Sequence, residues 1–379
     1  MPSQLSAPVL GVPFMDLGRI HEPLAAELTA AFATLTESGA FTNGPDVAMF
    51  EQAFADYCVA VECVGVSSGL DGLVLGLKAA GLEPGDEVIV PAQTFVATVA
   101  AVVLAGGTPV LVDIDLRDYG MDAEAAAAAV TERTRFLLPV HLYGQMADIS
   151  ALAALAERRS IALVEDACQA HGASRDGVRA GTAGVAAAFS FYPGKNLGAF
   201  GDAGAVVTPD RELGETVRAL REHGQRGKYN HETQGYTARL DTIQALVLRR
   251  KLPLLDGWND ERRLAALYYT EVLAGAGDLV LPNVPAGSDP VWHLYVVRTA
   301  DPARLAAWLA ERGIGSGRHY PDPVHLSRAY RHLGAGEGSF PVAEALAREC
   351  LSLPIFPGIT EAELASVADA VRGYFERAG

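Results

Sequence analysis

The sharpest chemical signal in the sequence is Ser190-Phe191-Tyr192-Pro193-Gly194-Lys195-Asn196-Leu197-Gly198. It puts Lys195 directly after a strand-like apolar run, in a tight turn followed by Gly198, Gly201 and Gly204. An amine placed there can form a Schiff base with a carbonyl; a solvated surface lysine is the ordinary alternative. A P-loop requires GxxxxGK[ST]. Here Phe189 stands at the first glycine position and Asn196 at the Ser/Thr position. A second signal is Glu165-Asp166-Ala167-Cys168-Gln169-Ala170-His171-Gly172, after the strand-like run Ile161–Val164. Asp166 can pair with a protonated ring nitrogen, or it can simply cap a turn. The third signal is Val66-Ser67-Ser68-Gly69, between a strand and a helix. Free N–H groups at a helix start attract phosphate, and a glycine lets the backbone come close. The same residues also make an ordinary helix cap.

An amine, an acid and a phosphate cradle are what pyridoxal phosphate (PLP) needs: a lysine for the Schiff base and a carboxylate for the pyridine nitrogen. Few residues compete for the amine role. Of the 30 basic residues only Lys78, Lys195, Lys228 and Lys251 are lysines. Lys78 and Lys251 fall on helical patterns and are expected to be solvated. The net charge of −16 excludes a broad basic footprint for nucleic acid or an anionic membrane. It leaves room for a local anion site. The glycines Gly313-Ile314-Gly315-Ser316-Gly317 have the wrong spacing for a dinucleotide loop and no strand before them. Cys58, Cys63, Cys168 and Cys350 fit neither a zinc knuckle nor CxxC, so no metal is expected and the thiols read as reduced. Met1–Gly18 shows no basic run followed by an apolar one, and no stretch reaches the roughly 20 apolar residues of a membrane span. A cytoplasmic protein is expected.

The elements that must position these residues follow from periodicity. Strands are predicted at Val61–Val66, Glu87–Val90, Pro109–Ile114, Phe136–His141, Ile161–Glu165, Ala187–Tyr192 and Ala203–Thr208. Leu/Ala-rich helical segments such as Gly69–Ala80 and Ile149–Arg159 lie between most of them. That alternation predicts an α/β domain with a largely parallel sheet. The last two strands are joined by a Gly-rich loop and not by a helix, so the sheet is expected to be mixed. After about Arg250 the pattern changes. Leu252–Leu273 reads as one long helix, Val291–Thr299 as a strand, and Asp301–Arg312, Val342–Cys350 and Thr360–Ala378 as helices. The expected organisation is a large domain over 1–250 and a smaller α+β domain over 251–379. Ligands of open α/β sheets bind beyond the carboxyl ends of the strands. Ser67-Ser68-Gly69, Gln93-Thr94, Tyr143-Gly144-Gln145, Asp166, Gln169 and the Lys195 turn all fall there.

Taken together, these residues resemble the DegT-type sugar aminotransferases, a branch of the fold-type I PLP enzymes. The likeness runs from about Phe41 to Pro357. It is carried by Phe41-Thr42-Asn43-Gly44-Pro45, Pro84-Gly85-Asp86-Glu87-Val88-Ile89-Val90-Pro91, Pro139-Val140-His141-Leu142-Tyr143-Gly144, the Glu165–Gly172 and Ser190–Gly198 runs, Gly201-Asp202-Ala203-Gly204, Arg239-Leu240-Asp241 with Gln244, and His319-Tyr320-Pro321 with His325. The resemblance implies an aspartate aminotransferase-like fold with a seven-stranded, mostly parallel sheet. It implies that Lys195 holds PLP and that Asp166 bonds the pyridine nitrogen. Phe95 would stack on the ring, and Gln169 would lie at the ring face or the O3′ side. Ser68, Gly69 and Ser190 would contact the phosphate. Arg226–Thr237 would reach the phosphate of a neighbouring subunit in a homodimer.

Two positions depart from the family pattern. Leu70 stands where relatives commonly have threonine, so that contact falls to the backbone. Thr237 stands where an asparagine commonly reaches across; Thr237 itself, Lys228 or Asn230 would be the donor there. The form of the lysine turn, and Leu70, resemble the branch that aminates C3 of 3-keto-6-deoxy sugars on dTDP. The implied reaction passes the amino group of L-glutamate to a nucleotide-linked keto sugar. A UDP-linked 3-keto sugar, a 4-keto nucleotide sugar or a cyclitol ketone is the alternative substrate. Arg226, Lys228, Arg318 and His319 are the candidate cations for the diphosphate, and Tyr320 and His325 for the sugar.

Overall fold

The computed structural model describes residues 11–378. Residues 1–10, over which the N-terminus was read for a signal, lie outside the described residues. Among the described residues, seven strands form one sheet: β1 (Glu62–Val66), β2 (Glu87–Pro91), β3 (Thr108–Val112), β4 (Thr134–Leu137), β5 (Ala162–Asp166), β6 (Ala186–Ser190) and β7 (Gly204–Thr208). Their spatial order is β1-β7-β6-β5-β4-β2-β3. Strand β7 runs antiparallel to both of its neighbours, and every other pairing is parallel. The sheet is therefore mixed and mostly parallel, as expected. The short Gly-rich link between β6 and β7 permits a turn back, whereas a parallel neighbour needs a long crossover.

The strands are apolar on both faces because both are covered. Alternate residues feed opposite cores. Ile89, Leu137, Leu163, Ala187 and Val207 pack with the helices Pro45–Cys58 and Ile149–Arg159. Val88, Val90, Phe136, Val164, Ala188 and Val206 pack with Gly69–Ala79, Ala97–Ala105 and Arg211–Arg221. Side chains cap the helix starts. Asp148 accepts the N–H of Ala151, and Asp210 those of Glu212 and Leu213. Each such cap contributes about 1 kcal/mol.

The C-terminal layer is built on an antiparallel ribbon of β8 (Tyr295–Arg298) and β9 (Cys350–Leu353). The helices Leu255–Val272, Pro302–Ala310 and Glu361–Ala378 accompany it. Tyr269, Tyr295, Val297, Leu351 and Val367 form its core, which Val12 of the N-terminal segment joins. The buried Arg262 donates to the carbonyls of Trp292, His293 and Ile355. Two expectations change here. The long helix from Leu252 begins as a 3-10 turn over Leu252–Leu254, because Pro253 removes a backbone donor. The strand predicted over Val291–Thr299 shortens to four residues, since Trp292 has φ 47° and breaks the extended run.

Candidate active site

The carboxyl ends of β1, β5 and β6 bring three distant segments together. Ser68 caps the helix Gly69–Ala79: its hydroxyl accepts the N–H of Asp71 at 3.1 Å and donates to the Asp71 carboxylate at 3.0 Å. The first N–H groups of a helix have no intrahelical acceptor and remain open to an anion. Gly69 is packed so closely that a Cβ there would lie 2.7 Å from both Cys168 Sγ and the Ser190 Cβ. Only glycine lets this helix start approach the ends of β5 and β6. Gly204, paired with both Val66 and Ser190, makes a similar close approach to the Ser68 carbonyl.

Asp166 ends β5 and is 5% exposed. Its Oδ1 accepts the Cys168 N–H at 3.2 Å, and its Oδ2 accepts the Thr98 hydroxyl at 2.7 Å. Lys195 follows β6 in a turn closed by its own N–H to the Tyr192 carbonyl at 2.8 Å. Burial pushes its amine below the ordinary 10.5, against the pull of Cys168 and Asp166. Such a lysine is more readily neutral and nucleophilic. Burial, and secondly Lys195, hold nearby histidines neutral: His171 falls to about 3, His319 to about 4, and His293 well below 6.5. Asn196 anchors the lysine turn. It donates to Asn259 at 2.9 Å and to the Val291 carbonyl at 2.8 Å, and lies 3.2 Å from His293.

The far wall comes from the C-terminal layer. Gln169 accepts the Tyr143 N–H at 2.7 Å and donates to the Tyr320 hydroxyl at 3.1 Å. Gln93 donates to the Tyr320 carbonyl at 3.1 Å, and the Tyr143 hydroxyl to the His319 carbonyl. Phe95 is 50% exposed, with its ring 5.4 Å from that of Tyr320. His319 stacks on Phe14 at 5.6 Å and bonds Ser352 at 2.8 Å.

The remaining sequence candidates lie elsewhere. His325 is fully buried, with Nε2 3.0 Å from Glu344 and its ring edge-on to Phe340. It ties down a Pro-flanked turn and does not open toward a sugar, which corrects that expectation. The Arg318 guanidinium donates to the carbonyls of Ala347, Arg348 and Cys350, at the end of the helix Pro341–Glu349. The helix end takes Nε and Nη2 of the guanidinium. Lys251 is 2% exposed, contrary to the solvated expectation. Arg226, Lys228, Asn230 and Thr237 sit on an exposed excursion closed by the bridges Glu222↔Thr237 and Gln225↔His231. Arg226 lies 3.5 Å from Glu232, Asn230 donates to Glu232 at 2.9 Å, and the Lys228 amine stands 5.3 Å over the Tyr229 ring. Among the described residues none of these four bonds to the Lys195–Asp166 cluster.

Sequence reasoning gave no role to Thr98, Tyr143, His171 or His293. Gln93-Thr94 and Tyr143-Gly144-Gln145 were marked only as polar residues beyond strand ends.

The donor set fits PLP. A depressed amine, a buried carboxylate and an open helix start pressed against Ser190 meet around one crevice. A profile of the DegT/DnrJ/EryC1/StrS aminotransferase family matches residues 23–372. The chain belongs to that family. It is 50% identical over 366 residues to the dTDP-3-amino-3,4,6-trideoxy-alpha-D-glucose transaminase of Streptomyces venezuelae, covering 97% of each chain. It is 41% identical over 361 residues to the UDP-N-acetyl-3-dehydro-alpha-D-glucosamine 3-aminotransferase of Acidithiobacillus ferrooxidans, covering 95% of this chain and 97% of that one. The fold matches the crystal structure of S. venezuelae DesV in complex with a ketimine intermediate. The TM-score is 0.94 at 50% identity, over 97% of this chain and 99% of that one. It also matches NtdA from Bacillus subtilis with bound cofactor PMP. There the TM-score is 0.90 at 29% identity, over 98% of this chain and 87% of that one.

Proposed function

We propose that this aminotransferase uses PLP to pass the amino group of L-glutamate to the C3 ketone of a dTDP-linked 3-keto-6-deoxyhexose. The observation that carries the reading is the depressed Lys195 amine within electrostatic reach of the buried Asp166 carboxylate, beside the open helix start at Ser68–Gly69. The dTDP-sugar transaminase name of the 50% identical relative supports the substrate. The UDP-sugar name of the 41% identical relative keeps a UDP-linked 3-keto sugar as the alternative.

PLP, when bound, supplies a carbonyl that links to amines and a ring that withdraws electrons. The chain supplies the rest. Lys195 would anchor the group and, as a neutral amine, would move a proton; burial favours that neutral form. Asp166 holds the pyridine nitrogen protonated. Ser68, Gly69 and Ser190 offer hydroxyl and backbone donors to the phosphate. Phe95 would cover the ring, and Gln169 would lie at its face or on the O3′ side. Tyr320, fixed by Gln93 and Gln169, faces the sugar, with His319 beside it.

We place the site in a homodimer. The reading rests on the resemblance to enzymes that build each site across two copies, and Phe41, Tyr192 and Tyr229 are large aromatics left exposed for such contacts. Lys228, Asn230, Arg226 and Thr237 are the residues available to reach a second copy's phosphate or nucleotide. The four free cysteines support a reducing compartment, the cytoplasm. Among the described residues no helix is long and apolar enough to cross a membrane. A division into domains near residue 250 is supported by the separate core around Tyr269 and Tyr295.

Purified protein given PLP should gain a visible absorbance band that L-glutamate bleaches. Assays with dTDP- and UDP-linked 3-keto sugars and a dTDP-linked 4-keto sugar test the acceptor. Turnover retained by Lys195→Ala would sink the proposal.

A further inference from the structure

The helix Ala97–Ala105 contains a single polar side chain, that of Thr98. Elsewhere in the chain, threonines inside helices spend their hydroxyls on the carbonyl four residues back. Thr29, Thr34, Thr36, Thr216 and Thr270 all do so. Such back-bonding is the local default for a helical threonine. Thr98 stands in the first turn of its helix, where the residue four back, Thr94, precedes the helix, so its hydroxyl is free to bond elsewhere. Its hydroxyl bonds Asp166 Oδ2 at 2.7 Å, 68 residues away in sequence. It also lies 2.8 Å from the Thr94 hydroxyl. Both threonines are buried, Thr98 at 0% and Thr94 at 2% exposure.

A hydroxyl has one proton to donate. Asp166 as a carboxylate only accepts, so Thr98 spends its proton there. The Thr94–Thr98 contact then requires Thr94 to donate. Two hydroxyls therefore point in series at Oδ2, each polarising the next. On the other side, the Cys168 N–H donates to Oδ1 at 3.2 Å. Donors to each oxygen fix the plane of the carboxylate. The same short segment carries Phe95 between the two hydroxyls in sequence, so one turn sets both the half-exposed aromatic and the support of the acid.

We infer that Thr98, backed by Thr94, is a positioning residue that orients the Asp166 carboxylate toward the pyridine nitrogen of PLP. The inference rests on the PLP reading above. It acts through Asp166, so its signature is electronic and goes beyond stability. A carboxylate free to turn aligns less well with the ring nitrogen and holds it less firmly protonated. The ring then repels a proton at the lysine–cofactor link less, and the pH midpoint of the visible band rises.

The test compares the PLP-loaded wild type with Thr98→Val, Thr98→Ser and Thr94→Val. Each is titrated by visible absorbance from acid to alkaline pH and assayed for kcat and KM with L-glutamate. Thr98→Val keeps the shape and removes one hydrogen bond to a charged group. It should raise the midpoint by about one pH unit and lower kcat about tenfold, with KM changed much less. Thr98→Ser should restore both. Thr94→Val should move the midpoint in the same direction by less, and it carries the test if Thr98→Val does not fold. A PLP-loaded Thr98→Val or Thr94→Val with wild-type midpoint and kcat overturns the inference and leaves the PLP reading intact. A wild type with no visible band in the presence of PLP overturns both.

Discussion

Lys251 ends the helix Thr242–Lys251 and is buried without a carboxylate partner among the described residues. Its amine donates to the Gly198 carbonyl, lies 3.1 Å from His21 Nε2 and stands 5.6 Å over the Trp258 ring. Burial pushes this amine down from 10.5 to about 8. Burial, and then Lys251 itself, push His21 down to about 4. The sign of the pH effect follows. The unfolded lysine binds its proton more tightly than the folded one, so the charged amine opposes folding below pH 8. That penalty is relieved as pH rises from about 8 to 10.5. At about 1.4 kcal/mol per unit, it amounts to roughly 3 kcal/mol at pH 7 and falls by about 2 kcal/mol on reaching pH 9.5. Lys251→Met removes the titration but keeps most of the apolar stem. At pH 7 the relieved charge and the lost bond to Gly198, itself worth about 1.5–3 kcal/mol, nearly cancel. At pH 9.5 the wild-type amine is neutral yet still donates, so the variant should be the less stable by about 2 kcal/mol more than at pH 7. Urea unfolding of both proteins, equally loaded with PLP, at pH 7, 8 and 9.5 gives the difference. Titrations common to both cancel, and His21 changes charge below this window. A difference that stays constant with pH, or shrinks as pH rises, would refute the reasoning.

Two further substitutions probe residues behind the site. Glu165 accepts the N–H groups of Ala183 and Gly184 on Oε1, and the Gly181 N–H and His141 Nε2 on Oε2. Glu165→Gln turns an amide donor toward one of these pairs and strands two donors, which should cost about 3 kcal/mol of stability in a thermal or urea melt. Arg318→Ala should lose about 1–2 kcal/mol through the carbonyls of Ala347, Arg348 and Cys350. It should leave KM for the nucleotide sugar within twofold, and a tenfold rise would return Arg318 to the diphosphate.

All seven large-sheet strands were legible because parallel strands covered on both faces read as nearly unbroken apolar runs. The Gly-rich link after β6 announced the antiparallel β7. The early helices Ala25–Ser38 and Pro45–Cys58 and the helix Thr242–Lys251 were not picked out. Helix Ala25–Ser38 mixes alanine and threonine with few large apolar residues, and only Leu28, Ala31 and Leu35 are buried. At the site, the Lys195 turn, Asp166 and Ser68-Gly69 were readable because each sits at a strand end, where topology alone sends it to one crevice. Side-chain direction was not readable. Gln169 meets Tyr320 across 151 residues and Thr98 meets Asp166 across 68, separations that no local spacing encodes. His325 and Arg318 looked available for the opposite reason. Their acceptors, Glu344 and three helix-end carbonyls, appear only when the helix Pro341–Glu349 packs.

The two buried lysines separate what makes an amine reactive from what merely depresses it. Burial lowers both Lys195 and Lys251. Lys251 is enclosed by the Gly198 carbonyl, His21 and Trp258, at 2% exposure. An electrophile has no approach to it, and its amine serves as a brace for the loop that carries Lys195. Lys195 has only its backbone N–H tied, to Tyr192, and keeps part of its surface open. It also has Asp166 and Cys168 as neighbours that pull its proton affinity back up. That opposition suits an amine that must be neutral to attack and protonated to deliver. Low proton affinity alone would have chosen either lysine. Access, and the carboxylate oriented by Thr98, favour Lys195 for the amine role proposed above.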